Sequence, residues 1–183
     1  MTLATGKKLL INGTGTGGLL DQTDGTAAIP EVLIGEAADN VGTYQLGGSG
    51  ELDVEQVDVG KSGTGSFVQS GGSCAVSGNM FIGRNSGSCG TCSLSGGTMT
   101  VDGAMRVGYV GDGTTTIGAT ANIEVGELAL GTAAGTGTLD MANGASIDIV
   151  DALQFGENAR FSVTTGAEVR LTGAGSTVDF TAA

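Results

Sequence analysis

Three charged residues stand at an interval that neither a helix nor a hairpin produces: Glu124, Asp148 and Arg170, which lie 24 and 22 residues apart. If one structural unit separates each pair, two acids and a base share a column on one face. Such a column has the elements of a general acid–base trio or of a calcium site. Its ordinary reading is a solvated face on which Arg170 relieves the repulsion between two carboxylates. Other chemistry is scarce. The chain has no His, so proton transfer near neutrality would fall to carboxylates or lysines. Cys89-Gly-Thr-Cys92 is a C-x-x-C, but the remaining thiol, Cys74, stands apart and no His completes a zinc set. The thiols are expected to be structural, with Cys74 and Cys92 facing inward and Cys89 in a loop; a Cys89–Cys92 bond is left open. The Gly-rich stretch GTGTGG (13–18) lacks the strand–loop–helix context and the Lys-Ser/Thr of a phosphate loop. No catalytic, cofactor-binding or metal-binding residue is therefore assigned, and the acidic column is the one weak candidate.

The element that would stack such a column is a repeat. The segments LLIN (9–12), VLIG (32–35), VDVG (57–60), MFIG (80–83), MRVG (105–108), LALG (128–131), LQFG (153–156) and STVD (176–179) align. Their second apolar residues, Ile11, Ile34, Val59, Ile82, Val107, Leu130, Phe155 and Val178, are spaced 23, 25, 23, 25, 23, 25 and 23 residues apart. We have no physical account of the alternation. Two further ladders run alongside. One holds Tyr44/Leu46, Phe67/Gln69, Cys92/Leu94, Thr115/Ile117, Leu139/Met141 and Phe161/Val163. The other holds Leu52/Val54, Cys74/Val76, Met99/Val101, Ile123/Val125, Ile147/Ile149 and Val169/Leu171. Within each pair the residues are two apart, the period of a strand. Each stub is too short to bury its side chains alone; stacked on its equivalents at about 4.8 Å it becomes a rung of a parallel sheet. The expected fold is all-β: a right-handed parallel β-solenoid with three short strands per coil of 23–25 residues and about seven coils. Residues 1–31 are expected to form an irregular N-terminal coil, 32–175 the regular coils and 176–183 a C-terminal strand, all in one domain. Gly follows the third strand because a corner needs positive φ or close approach of backbones. Gln69 breaks its ladder, so it is either buried with a partner or displaced by a bulge that turns Val68 inward.

Composition agrees with a thin aliphatic core: 39% apolar residues, 4% aromatic, no Trp, and 36 Gly against one Pro. No G-X-Y period exists, which excludes collagen. A net charge of −12 without a basic stripe excludes binding to a nucleic-acid backbone, and no apolar run reaches membrane-span length.

GTGSFVQSGGSCAVSGNMFIG (63–83) and GTCSLSGGTMTVDGAMRVG (90–108) resemble the Gly-rich passenger repeats of bacterial autotransporter-like and sorting-tagged surface proteins. The resemblance implies a right-handed β-solenoid displayed outside the cell. A leader, a membrane barrel and a sorting tail, which accompany such repeats, are not read in this chain.

Two function classes follow. The first is a non-enzymatic structural protein, a self-associating building block of an extracellular assembly: a virion decoration or fibre protein, or a cell-surface fibre subunit. Its partner is itself or a larger protein particle. The second is a glycan-binding module or a polysaccharide-acting enzyme on one solenoid face. The ends favour the first. Neither offers an amphipathic helix as a lid, so Leu9 and Ile11 near one terminus and Val178 and Phe180 near the other are expected to be association ends. An ice-binding face is not expected, because the outward column Gln45, Val68, Ser93, Thr116, Asp140, Ser162 is irregular.

Overall fold

Alternating apolar stubs separated by Gly, Asn and Asp fold here as rungs, and every rung lies parallel to the equivalent rung one coil away. The computed structural model describes residues 1–15 and 17–180. In chain order the strands are β1 (Lys8–Ile11), β2 (Gly18–Gln22), β3 (Thr26–Ile34), β4 (Val41–Leu46), β5 (Glu51–Val59), β6 (Thr64–Gln69), β7 (Ser73–Val76), β8 (Met80–Ile82), β9 (Cys89–Val107), β10 (Asp112–Leu130), β11 (Gly137–Met141), β12 (Ser146–Phe155), β13 (Ala159–Val163), β14 (Glu168–Leu171) and β15 (Thr177–Phe180). Several run through a corner: β3, β5 and β12 each supply a second and a third rung, while β9 and β10 each supply a whole coil. The chain is all-β, with parallel strands wound into a β-solenoid of about seven turns.

The three ladders have the expected register. Tyr44, Phe67, Cys92, Thr115, Leu139 and Phe161 are successive partners in the first. Leu52, Cys74, Met99, Ile123, Ile147 and Val169 are partners in the second. In the third, Ile34, Val59, Ile82, Val107 and Leu130 form one fully buried column. The last rung corrects the alignment. Phe155 pairs with Phe180, and Val178 pairs with Leu153. The final spacing is thus 25 rather than 23, and the alternation ends there. A longer corner before β15 puts the rung two residues later than the apolar Val178 suggested. In the stretch 1–31, expected to be irregular, β1, β2 and the start of β3 supply rungs in register with later coils, and Thr2 bridges Ala28. Of the expected C-terminal strand 176–183, Thr177–Phe180 is strand, and 181–183 lie outside the described residues.

Gln69 faces inward and is buried with partners. No bulge displaces Val68, which pairs straight onto Ser93. The Gln69 amide donates to the carbonyls of Thr98 (2.9 Å) and Gly72 (3.4 Å). Gln22, two coils earlier in the same column, brackets Glu51 (2.9 Å) and Gly25 (2.8 Å) in the same way. Each glutamine therefore satisfies carbonyls of the first corner that a leucine would leave to chance.

The third strand departs from one-sided burial. Val32-Leu33-Ile34, Val57-Asp58-Val59, Met80-Phe81-Ile82 and Leu128-Ala129-Leu130 are buried throughout, outward residue included. At Asp58 and Phe81 the corner that follows a third strand supplies cover: Arg84 reaches the Asp58 carboxylate and packs on the Phe81 ring, and Tyr109 meets that ring edge-on. The sharp turn of such a corner needs Gly: at Gly108, φ is 67° and a Cβ would overlap the carbonyl of Thr136. Among the described residues no helix is long and apolar enough to cross a membrane.

Candidate functional site

The stacked column is real in register. Thr100, Glu124, Asp148 and Arg170 are successive partners on the outer side of the second ladder. Only two of its charged members join. Arg170 grips Asp148 through two nitrogens, Nε to Oδ1 at 2.6 Å and Nη2 to Oδ2 at 3.3 Å, and reaches Glu168 at 3.5 Å. These hydrogen bonds and the Asp148 charge raise the Arg170 pKa further. Glu124 is exposed and has no such partner. Arg170 and Asp148 thus form a surface ion pair, and a small groove of about 200 Å³ beside Thr100 and Glu124 is lined by Asp102 and Asp151 but by neither member of that pair. Among the described residues no three His, Cys, Asp or Glu side chains group as a metal site.

The thiols divide by strand geometry. Cys89 opens β9 with its side chain exposed, and Cys92, three residues on, points into the core. Residues three apart on a strand face opposite sides, so both cannot ligate one ion, and Cys89 and Cys92 are unbonded. Burial pushes the Cys74 thiol up to about 12 and raises that of Cys92 as well, which holds both protonated and unreactive.

The association ends differ from each other. Near the N-terminus Ile11 is buried and Leu9 partly buried, packed under neighbouring residues. At the opposite end the inward positions of the last coil lie open. Phe161 is 37% exposed, Val163 43%, Leu171 41%, Val178 44% and Phe180 75%. Phe180 stacks on Phe155 with ring centroids 5.1 Å apart, and Phe161 leans against Phe155 at 5.8 Å.

A further cluster was not anticipated from the sequence. It lies on the outer face of the third ladder, where Leu33, Asp58, Phe81, Arg106, Ala129 and Gln154 form one column. Asp58 is fully enclosed, with Leu33 and Phe81 as its register neighbours. Arg84, just past the Gly83 turn, donates to its carboxylate at 2.6 Å, and Gln56 donates at 3.3 Å. Burial nonetheless raises the Asp58 pKa, because desolvation outweighs the pull of Arg84. The Arg84 guanidinium also lies 4.4 Å from the Phe81 ring centroid, Arg106 lies 5.6 Å from it, and Tyr109 meets the ring edge-on at 5.8 Å. Beside them is an open groove of about 490 Å³, lined by Phe81, Arg84, Arg106, Tyr109, Glu127, Thr132 and Gln154. By contrast, a groove of about 480 Å³ on the second face is lined by Asp53, Glu55 and Asp102 with no base or amide among its lining residues. VLI, MFI and LAL signalled that the third face is covered, but not which residues cover it. Three consecutive apolar residues do not alternate, which marks a strand covered on both sides.

No family model, curated protein or solved structure matches the chain.

Proposed function

We propose that the protein is a non-enzymatic structural unit that joins copies of itself end to end, in an assembly outside the cell on a virion or a cell surface. The observation that supports this reading best is the open last coil. Its inward apolar residues are exposed on all three faces, and β13, β14 and β15 each pair on one side only among the described residues. A second copy is the occupant that suits it. At the opposite end β1 and β2 also pair on one side only, and they run parallel to the ladders they begin. A copy translated along the axis sets Leu9 over Val178 and Ile11 over Phe180 and keeps strand polarity. Charge favours the same joint: residues 1–20 carry Lys7 and Lys8 and no acid, whereas 156–180 carry Glu157, Glu168 and Asp179 against Arg160 and Arg170.

Magnitudes decide how strong the joint is. Burying a few hundred Å² of apolar surface contributes roughly 5–10 kcal/mol at ~25 cal/mol/Å². Association costs about 4–15 kcal/mol in lost freedom. The first ladder is also one rung short at the joint, because β1 belongs to the coil before β2. Edge hydrogen bonds then tip a near balance, so the assembly is reversible and concentration-dependent. Sedimentation velocity over a concentration series should show growth beyond the monomer, and Val178→Asp or Phe180→Asp should suppress it while the parent's circular dichroism is kept. A monomer at every concentration, or growth indifferent to both substitutions, overturns self-association. Turnover of an acidic polysaccharide that is lost in Asp148→Ala overturns the non-enzymatic reading.

A further inference from the structure

The third-face groove holds chemistry that end-to-end stacking leaves unused. Its shape follows from its column. Arg106 and Gln154 stand two rungs apart, about 10 Å, and Ala129 between them is small and almost fully buried, which lowers the floor. Phe81 closes one end, with Arg84 and Tyr109 on the flank. Two of the chain's seven basic residues face this one groove. Their donors are not spent. Arg84 commits Nη1 to Asp58. Arg106 has a long contact of 3.4 Å to Asn79 and stands 3.9 Å from Glu127, which is an ion pair without a hydrogen bond. Tyr109 is 38% exposed although its ring packs on Phe81, so it presents an apolar surface with a hydroxyl at its rim.

We propose that this groove binds a carboxylated sugar unit. The planar guanidinium of Arg106, assisted by Arg84, takes the carboxylate with paired N–H donors. The Tyr109 ring packs against the apolar C–H face of the sugar. Glu127 accepts from ring hydroxyls, while Thr132 and Gln154 donate and accept along the groove. The mixture of signs selects this ligand class. A phosphate dianion would meet stronger repulsion from Glu127 than a monoanionic carboxylate does, and the backbone N–H groups of Arg84 and Tyr109 are already bonded to the Gly60 and Gly83 carbonyls; a neutral sugar would leave Arg106 with only its long approaches to Glu127 and Asn79. The volume, about 490 Å³, lies in the range of small-ligand sites. This inference is independent of self-association, since the groove lies on the side of the rod.

The test is calorimetric titration of the full chain at low salt with trigalacturonate, and with maltotriose as the neutral arm. Trigalacturonate should bind, and maltotriose should bind about tenfold more weakly or less. Arg106→Gln and Tyr109→Ala should each weaken trigalacturonate by about tenfold or more. Backbone amide shifts in the unsubstituted protein should concentrate at 81–84, at 106–109 and near Gln154, a readout that needs no variant to fold. Absence of binding at millimolar trigalacturonate, equal binding of both saccharides, unchanged affinity in both variants, or shifts confined to the second face each overturn the proposal.

Discussion

Thr115 takes an inward place in the first ladder between Cys92 and Leu139, fully buried, and its hydroxyl has no hydrogen-bond partner. A buried hydroxyl without a partner loses its hydration and gains nothing in return. Thr115→Val keeps the branched shape and removes that deficit, so it should stabilise the fold by about 1–2 kcal/mol in urea denaturation. The Gln69 carbonyl oxygen is a similar orphan. Its counterpart on Gln22 accepts from the Tyr44 hydroxyl, and one coil beyond Gln69 that place is held by Cys92 instead. Asp58 and Arg84 give a pH-dependent prediction. Burial raises the Asp58 pKa in the folded state, so between the ordinary carboxylate value and that raised value the native state binds more protons than the unfolded chain. Stability therefore falls as pH rises through this window. Arg84→Ala removes the counter-charge from an enclosed carboxylate and should cost about 3–5 kcal/mol at neutral pH. The loss should shrink as pH falls through the raised folded value of Asp58 and be smallest at ~3, below the ordinary carboxylate value, where Asp58 is protonated in both states, and Asp58→Asn combined with Arg84→Ala should recover much of it. Denaturation curves at neutral and acidic pH check both points; a deficit that does not change with pH would show that Arg84 acts through its packing on Phe81.

At the scale of the element, the corner fixes the coil more tightly than the strand does. Gly87 and Gly108 share positive φ, 77° and 67°, but nothing lies near a Cβ at Gly87, whereas one at Gly108 would overlap the Thr136 backbone. Gly87→Ala should cost only the left-handed backbone penalty, about 1–2 kcal/mol. Gly108→Ala also pushes the third-strand corner off the coil above it and should cost several times as much or prevent folding. Thermal melts of the two variants measure the difference, and equal melting temperatures would refute the close-approach account. The same physics explains how much of the fold could be read. Pairs such as Ile123/Val125 and Ile147/Ile149 stand out because both members are apolar and recur one coil apart. Leu20/Gln22 and Ala27/Ile29 take equivalent places, but Gln and Ala carry no hydrophobic signal, and the Gly-rich stretch before them hid the period. Of the candidate site, the Glu124–Asp148–Arg170 column followed from the register alone. The Asp58–Arg84–Phe81 cluster did not, because its members come from outward strand positions and from the corner after Gly83, and the periodicity says nothing of a corner's path.

For the whole molecule, stability is a sum over neighbouring coils, since each rung touches only the rungs above and below it. Interior coils have two such neighbours; the last described coil has one among the described residues, and β13, β14 and β15 are largely exposed along their length. Local opening should then cost least at that end. In hydrogen exchange on dilute protein, amides of β9 and β10 should be the slowest, and those of Glu168–Leu171 and Thr177–Phe180 among the fastest. Raising the protein concentration supplies the missing neighbour. If copies stack end to end, protection should grow selectively in β14 and β15 and in β1, with β9 and β10 unchanged, because their neighbours are already in place. The first ladder should respond less, since its joint leaves one rung open between β13 and β2. Phe180→Asp should abolish the concentration dependence without altering exchange in β9 or β10. Uniform protection changes along the chain would point to association through a side face, and the end-to-end arrangement would then be wrong even if oligomers form.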